Sequence, residues 1–73
     1  MTVEDVIRAI KSKNYTVTVW YAEEQYNFDM RKHDIEDVKK AGIANCDVWD
    51  FAVWDGRITI WTTNLWLPSR AEL

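Results

Sequence analysis

The chain contains few residues of the types that carry out catalysis. His33 is its only histidine and Cys46 its only cysteine. His33 lies where a helix is predicted to begin, which favours a surface or capping role, and Cys46 precedes a predicted strand as a small, partly buried residue. Their spacing marks no Cys–His nucleophile pair. We therefore predict that the protein is not an enzyme.

Sequence patterns for metal and phosphate binding are also missing. One histidine, one cysteine and scattered carboxylates reproduce neither a zinc spacing nor a calcium loop. Gly42 and Gly56 are the only glycines, and a turn explains each of them, so there is no glycine-rich phosphate loop. The sequence predicts no metal and no cofactor.

The five tryptophans are more informative. Side-chain alternation along the predicted strands places Trp20, Trp54 and Trp61 on one face of a sheet, with threonines and an arginine as neighbours. Three tryptophans on a solvated sheet face form an unusual apolar patch, and tryptophan and arginine are typical of interface hot spots. The predicted partner-binding residues are Trp20, Trp54, Trp61, Arg57 and Trp66.

Two alternatives explain the same tryptophans without a partner. The apolar segment Leu65-Trp66-Leu67 can fold back over this face and cover it, since apolar residues are mostly buried. Trp54 can also stack on Arg57 across the turn in a local cation–π contact.

Two hairpins are predicted to build the sheet. Asp55-Gly56, within Val48–Thr63, suits a two-residue type I′ turn that pairs Trp54 with Arg57. Counting outward from this turn gives a core-facing set of Trp49, Phe51, Val53, Ile58 and Ile60. The alternating runs Tyr15–Ala22 and Gln25–Arg31 predict the other hairpin. A turn at Glu23-Glu24 pairs Tyr21 with Tyr26, Val19 with Phe28 and Val17 with Met30. Because this turn lacks glycine and asparagine, the alternatives are a longer loop or a short helical turn over Glu23-Glu24-Gln25.

Two amphipathic helices are predicted to cover the sheet. Thr2–Lys13 has apolar residues at helical spacing, with Thr2 as the N-cap. His33–Ala41 is the shorter helix, with Asp34 as the N-cap and Gly42 just after its end.

The resulting order, αββαββ, predicts an α+β fold: a four-stranded antiparallel sheet with both helices on one face. A specific candidate is a circularly permuted ferredoxin-like arrangement with the spatial strand order 3-4-2-1. The 73 residues are too few for two cores, so residues 1–73 are predicted to be one domain with 64–73 as a C-terminal tail.

Composition limits the environment and the partners. A single cysteine, no signal-peptide pattern and no apolar stretch of membrane-spanning length favour the cytoplasm and disfavour a membrane. We expect a small interaction module, an inhibitor or adaptor of the kind found in phages and mobile elements, that binds another protein or itself as a homodimer. The alternative is single-stranded nucleic acid bound through the same aromatics, which the net charge of −3 disfavours.

Overall fold

A four-stranded sheet with two helices on one side makes up residues 1–62, the part of the chain that the computed structural model describes. The elements are α1 (Val3–Ala9), β1 (Thr16–Tyr21), β2 (Glu24–Asp29), α2 (Ile35–Lys40), β3 (Asp50–Trp54) and β4 (Arg57–Trp61). The α+β class and the αββαββ order are confirmed. The predicted tail at 64–73, with Trp66, lies outside the described residues.

The sheet is mixed, with the strand order β2-β1-β4-β3. Both hairpins are antiparallel, but β1 and β4 meet in parallel at the centre. The expectation of an antiparallel sheet with the order 3-4-2-1 was wrong, because β4 lies beside β1 and not beside β2. A physical reason is visible in the strands: β1 and β4 carry the buried β-branched side chains, which fit a central position, whereas β2 is mostly polar.

The two hairpin turns differ in how well the sequence marks them. Asp55 and Gly56 both have positive φ, as a type I′ turn requires, and the predicted register of β3 against β4 is confirmed. In the first hairpin the turn residues are Ala22 and Glu23, so Val19 lies opposite Tyr26. The predicted turn at Glu23-Glu24 was one residue too late. Every predicted pair therefore shifts by two residues, which leaves each side chain on its expected face.

Both helices begin at the predicted N-caps. The Thr2 hydroxyl accepts from the Asp5 amide and the Asp5 carboxylate accepts from the Thr2 amide, which completes a capping box. Asp34 and Asp37 form the equivalent box at the start of α2. Each helix is shorter than the pattern suggested, since α1 ends at Ala9 and α2 at Lys40. At 1.5 Å per residue the helices are only about 10 Å long.

The core lies between the helices and the two central strands. Its sheet side consists of Val17 and Val19 from β1 and Ile58 and Ile60 from β4, all at most 2% exposed. The helices contribute Val3, Val6, Ile7 and Val38. Within the described residues, the core and the side chains packed against it include no residue of β3.

The predicted core face of β3 is exposed. Phe51 and Val53 lie on the helix side, as expected, but retain 41% and 60% of their surface, and Trp49, directly before β3, retains 52%. The expectation that they belong to the core was wrong. The physical reason is that two short helices pack over β1 and β4 and do not reach the edge strand.

Candidate interaction surface

An exposed set of apolar side chains lies along β3, the strand at one edge of the sheet. We define the β3 surface as Trp49, Phe51, Val53 and Trp54; Trp54 is 50% exposed on the opposite side of the strand. The set spans about 17 Å. Large apolar side chains are therefore exposed on both sides of this sheet edge, and clustered exposed apolar surface is typical of an interaction site.

The backbone of β3 adds hydrogen-bonding groups to this surface. Trp54 and Arg57 flank the two-residue turn, so Ala52 and Trp54 are the positions that face β4 in the ladder. Phe51 and Val53 therefore direct their N–H and C=O groups to the outer edge. The Phe51 amide donates to its neighbour, the Asp50 carboxylate, at 2.8 Å. Such an edge is a template for a further strand.

Charges surround the apolar side chains. Asp50 and Asp55 are exposed at the two ends of β3, and Arg57 is exposed across the turn from Trp54. Acidic residues beside an edge strand discourage indiscriminate pairing. The edge of β3 therefore combines apolar side chains with charged neighbours.

The outer face, defined as the sheet face opposite the helices, carries the tryptophans singled out from the sequence. Trp20 and Trp61 are directly paired on the central strands, and each is half-buried. Trp54 lies four residues further along the sheet, about 13 Å away, beside Arg57. The structure thus brings Trp20 and Trp61 together and separates them from Trp54 and Arg57.

A polar depression of about 590 Å³ lies at the Arg57 end of this outer face. Its lining includes the polar residues Thr16, Thr18 and Asn27, together with Lys32, His33 and Arg57. Asp29 also lines it, but two hydrogen bonds from the Arg31 guanidinium, at 2.9 and 3.1 Å, lower the pKa of that carboxyl and compensate its charge.

His33 and Cys46, the two residues with catalytic potential, both contact residues that belong to the helices and the core. His33 Nδ1 lies 3.2 Å from an Asp37 carboxylate oxygen, and its ring meets Phe28 edge-on. Cys46 packs against the core, and its carbonyl accepts from the Val3 amide. Burial, followed by the neighbouring Asp47 charge, raises the pKa of the Cys46 thiol. A raised thiol pKa lowers the thiolate fraction, so this cysteine is a poor nucleophile.

Residues 1–62 hold no group of three histidine, cysteine, aspartate or glutamate side chains placed to bind a metal ion. Neither described helix has the length and apolar character needed to cross a membrane.

Comparisons with known proteins add no relative to this picture. No family model, no characterised protein and no solved structure matches the chain.

Sequence reasoning missed the β3 surface because it assumed that every apolar strand face is covered. One signal was present in the pattern. The strand carries large apolar residues on both faces, with Trp49, Phe51 and Val53 on one and Trp54 on the other. A strand at the edge of a small sheet cannot bury both faces under two short helices.

Proposed function

We propose that this chain is a non-enzymatic protein-interaction module that contacts its partner through the β3 surface. The observation that carries this proposal is the exposure of four large apolar side chains along one edge strand. Covering half-exposed tryptophan and phenylalanine rings is favourable by about 25 cal/mol per Å² of apolar surface removed from water. A partner that covers them supplies the burial that the two helices do not.

A protein partner fits both parts of this surface. Phe51 and Val53 offer alternate apolar side chains, and their outward amide and carbonyl groups offer main-chain hydrogen bonds. Strand addition at a sheet edge uses this combination, with affinity from the main chain and specificity from the side chains. The role is that of an inhibitor or adaptor, which acts by occupying a partner's surface.

The same surface revises the list of contact residues. Trp54 and Arg57 remain in the proposal because both are exposed beside β3. Trp20 and Trp61 are half-buried on the central strands and lie outside the β3 surface, so we place them outside the main contact. Trp66 stays a prediction from sequence. The single cysteine supports a reducing compartment, and we propose the cytoplasm.

A matched pair of variants tests this proposal. Phe51→Ser removes an aromatic ring from the β3 surface. Tyr21→Ser removes a ring from the end of β1, on the same side of the sheet. The two rings are about equally exposed, with 41% for Phe51 and 44% for Tyr21. Tagged full-length chains are expressed in the native host, and captured proteins are compared by mass spectrometry. We expect wild type and Tyr21→Ser to retain one partner that Phe51→Ser loses.

Equal capture by both variants contradicts the assignment to β3. Circular dichroism of the purified variants provides the folding control, since a loss of fold in Phe51→Ser alone shows that the ring belongs to the core.

Single-stranded nucleic acid is the second candidate. The observation in its favour is the polar depression lined by Lys32 and Arg57, since Arg57 is paired with the exposed Trp54. Binding of single strands uses cations that contact the phosphates and an aromatic ring on which a base stacks. Titration with mixed oligonucleotides at low salt, followed by tryptophan fluorescence, tests it. No quenching in wild type rejects this candidate; quenching that Arg57→Gln reduces supports it.

A further inference from the structure

We propose that β3 pairs with β3 of a second copy of this chain, antiparallel about a twofold axis at Ala52. In this register Phe51 lies opposite Val53 of the second copy, and the two sheets join into one of eight strands. The inference rests on the proposed function, since it names a partner for the same β3 surface. Three features of β3 favour this register.

The first feature is the direction of the backbone groups. Phe51 and Val53 both point their N–H and C=O groups away from β4. When these two residues lie opposite each other, each amide meets the other's carbonyl. The twofold axis repeats the pair, which gives four interchain hydrogen bonds. The Phe51 amide exchanges its bond to the Asp50 carboxylate for one of them.

The second feature is the size of the residue at the axis. Ala52 would face Ala52 of the second copy as a non-hydrogen-bonded pair, in which the Cα atoms approach to about 4.5 Å. A small side chain suits this close approach. Its neighbours Phe51 and Val53 occupy the hydrogen-bonded pairs, where the spacing is about 5.5 Å and larger side chains fit.

The third feature is what each side of the joined sheet would carry. On the helix side, Ile60 and Phe51 continue directly into Val53 and Ile58 of the second copy, which makes an unbroken apolar row. On the outer face, Asp50 lies opposite Trp54 of the second copy, with that copy's Arg57 next in the row. Asp55 falls opposite Trp49. No acidic residue of β3 or its turn directly faces another, and Asp50 gains a cation one strand further on.

The size of the contact predicts a reversible dimer. The β3 surface exposes on the order of 300–400 Å² of apolar side chain in each copy. Edge-to-edge pairing covers the paired backbone and the flanks of these side chains, so two copies bury at most about 1,000 Å² in total, below the roughly 1,600 Å² of a standard interface. We therefore expect association that is concentration-dependent in the micromolar to millimolar range.

Sedimentation equilibrium of the full-length chain, from micromolar to millimolar concentration, measures this association. Val53→Pro removes an outward amide, which an edge strand tolerates, and Gln25→Pro removes the equivalent amide from the β2 edge. Because symmetry deletes two hydrogen bonds at about 1 kcal/mol each, Val53→Pro is expected to weaken dimerisation about tenfold or more. Gln25→Pro should leave it within about twofold of wild type.

A cross-link tests the register without relying on the proline variants. In a Cys46→Ala background, Ala52→Cys places two thiols across the proposed axis, at a Cα separation that a disulfide can bridge. Gln25→Cys on the opposite edge is the control. In glutathione redox buffer, Ala52→Cys should accumulate a disulfide-linked dimer while Gln25→Cys remains monomeric.

Two results overturn the proposal: a wild-type chain that stays monomeric up to millimolar concentration, or equal cross-linking of the two cysteine variants. Either result leaves the proposed function standing if Phe51→Ser still loses a captured partner that Tyr21→Ser retains. The two failures are therefore distinguishable.

Discussion

Val17 and Val53 provide a direct test of whether the edge strand is exposed. The two valines lie in the same row of the sheet, on the helix-facing side. Ile58 on β4 lies between them, paired with Val17 on β1 and with Val53 on β3. Val17 is 0% exposed and Val53 is 60% exposed. The same substitution, Val→Ala, therefore reports on a central and an edge position with no difference in chemistry.

The expected cost differs because only one site is enclosed. Val17→Ala removes two buried methyl groups, at about 0.8 kcal/mol each, and leaves a cavity, so the free energy of unfolding should fall by about 2–3 kcal/mol. At Val53 only two fifths of the side chain is buried and no closed cavity forms. Its loss should be below about 1 kcal/mol, including the lower strand propensity of alanine.

Urea unfolding followed by tryptophan fluorescence measures both values. The total stability of a chain this size is about 4–11 kcal/mol, so a loss of 2–3 kcal/mol is readily resolved. Equal m-values in the two variants are the control that each unfolds from the same compact state. Measurements at low micromolar concentration keep self-association out of the comparison.

Equal destabilisation by Val17→Ala and Val53→Ala would refute the reasoning. It would mean that the helix-facing side of β3 is covered in the monomer. The β3 surface would then be part of the core, and the proposed function would lose the observation that carries it.

Four further predictions concern one helix cap, the two hairpin turns and pH. Thr2→Ala should lower the free energy of unfolding by about 1 kcal/mol through loss of the α1 capping box, while Lys13→Ala, beyond the helix, changes it little; thermal unfolding compares them. Gly56→Ala should lower stability by about 1–2 kcal/mol, because φ is +75° and no clash at the Cβ adds to this strain. Ala22→Gly should leave stability unchanged or raise it by up to about 1 kcal/mol, since Ala22 has φ of 55°; a loss in urea unfolding contradicts this. Acid should destabilise the protein as pH falls below about 4, because the folded state lowers the pKa of Asp5, Asp29 and Asp37 below the ordinary 3.8. Their ionised forms stabilise the fold above that pH, and this stabilisation is lost as they become protonated. A urea midpoint that stays constant down to pH 2 contradicts this prediction.

Local patterns in the sequence correctly predicted the elements and much of their geometry. Capping signals at Thr2 and Asp34 mark where both helices begin, because a side-chain oxygen satisfies amides that only a helix start leaves open. Asp55-Gly56 predicts its turn and the register of β3 against β4, because only a few residue types adopt two successive positive φ values. Period-two alternation places the side chains of all four strands on their correct faces.

What the tertiary structure decided is which strands meet and which faces are covered. The parallel pairing of β1 with β4 depends on two hairpins far apart in sequence, and no local signal specifies it. The exposure of Phe51 and Val53 depends on how far two short helices reach across the sheet. Alternation along a strand determines the face on which a side chain lies, but the side chain is buried only if a second element packs on that face. The proposed interaction surface follows from that distinction, since it consists of core-type residues that the fold leaves uncovered.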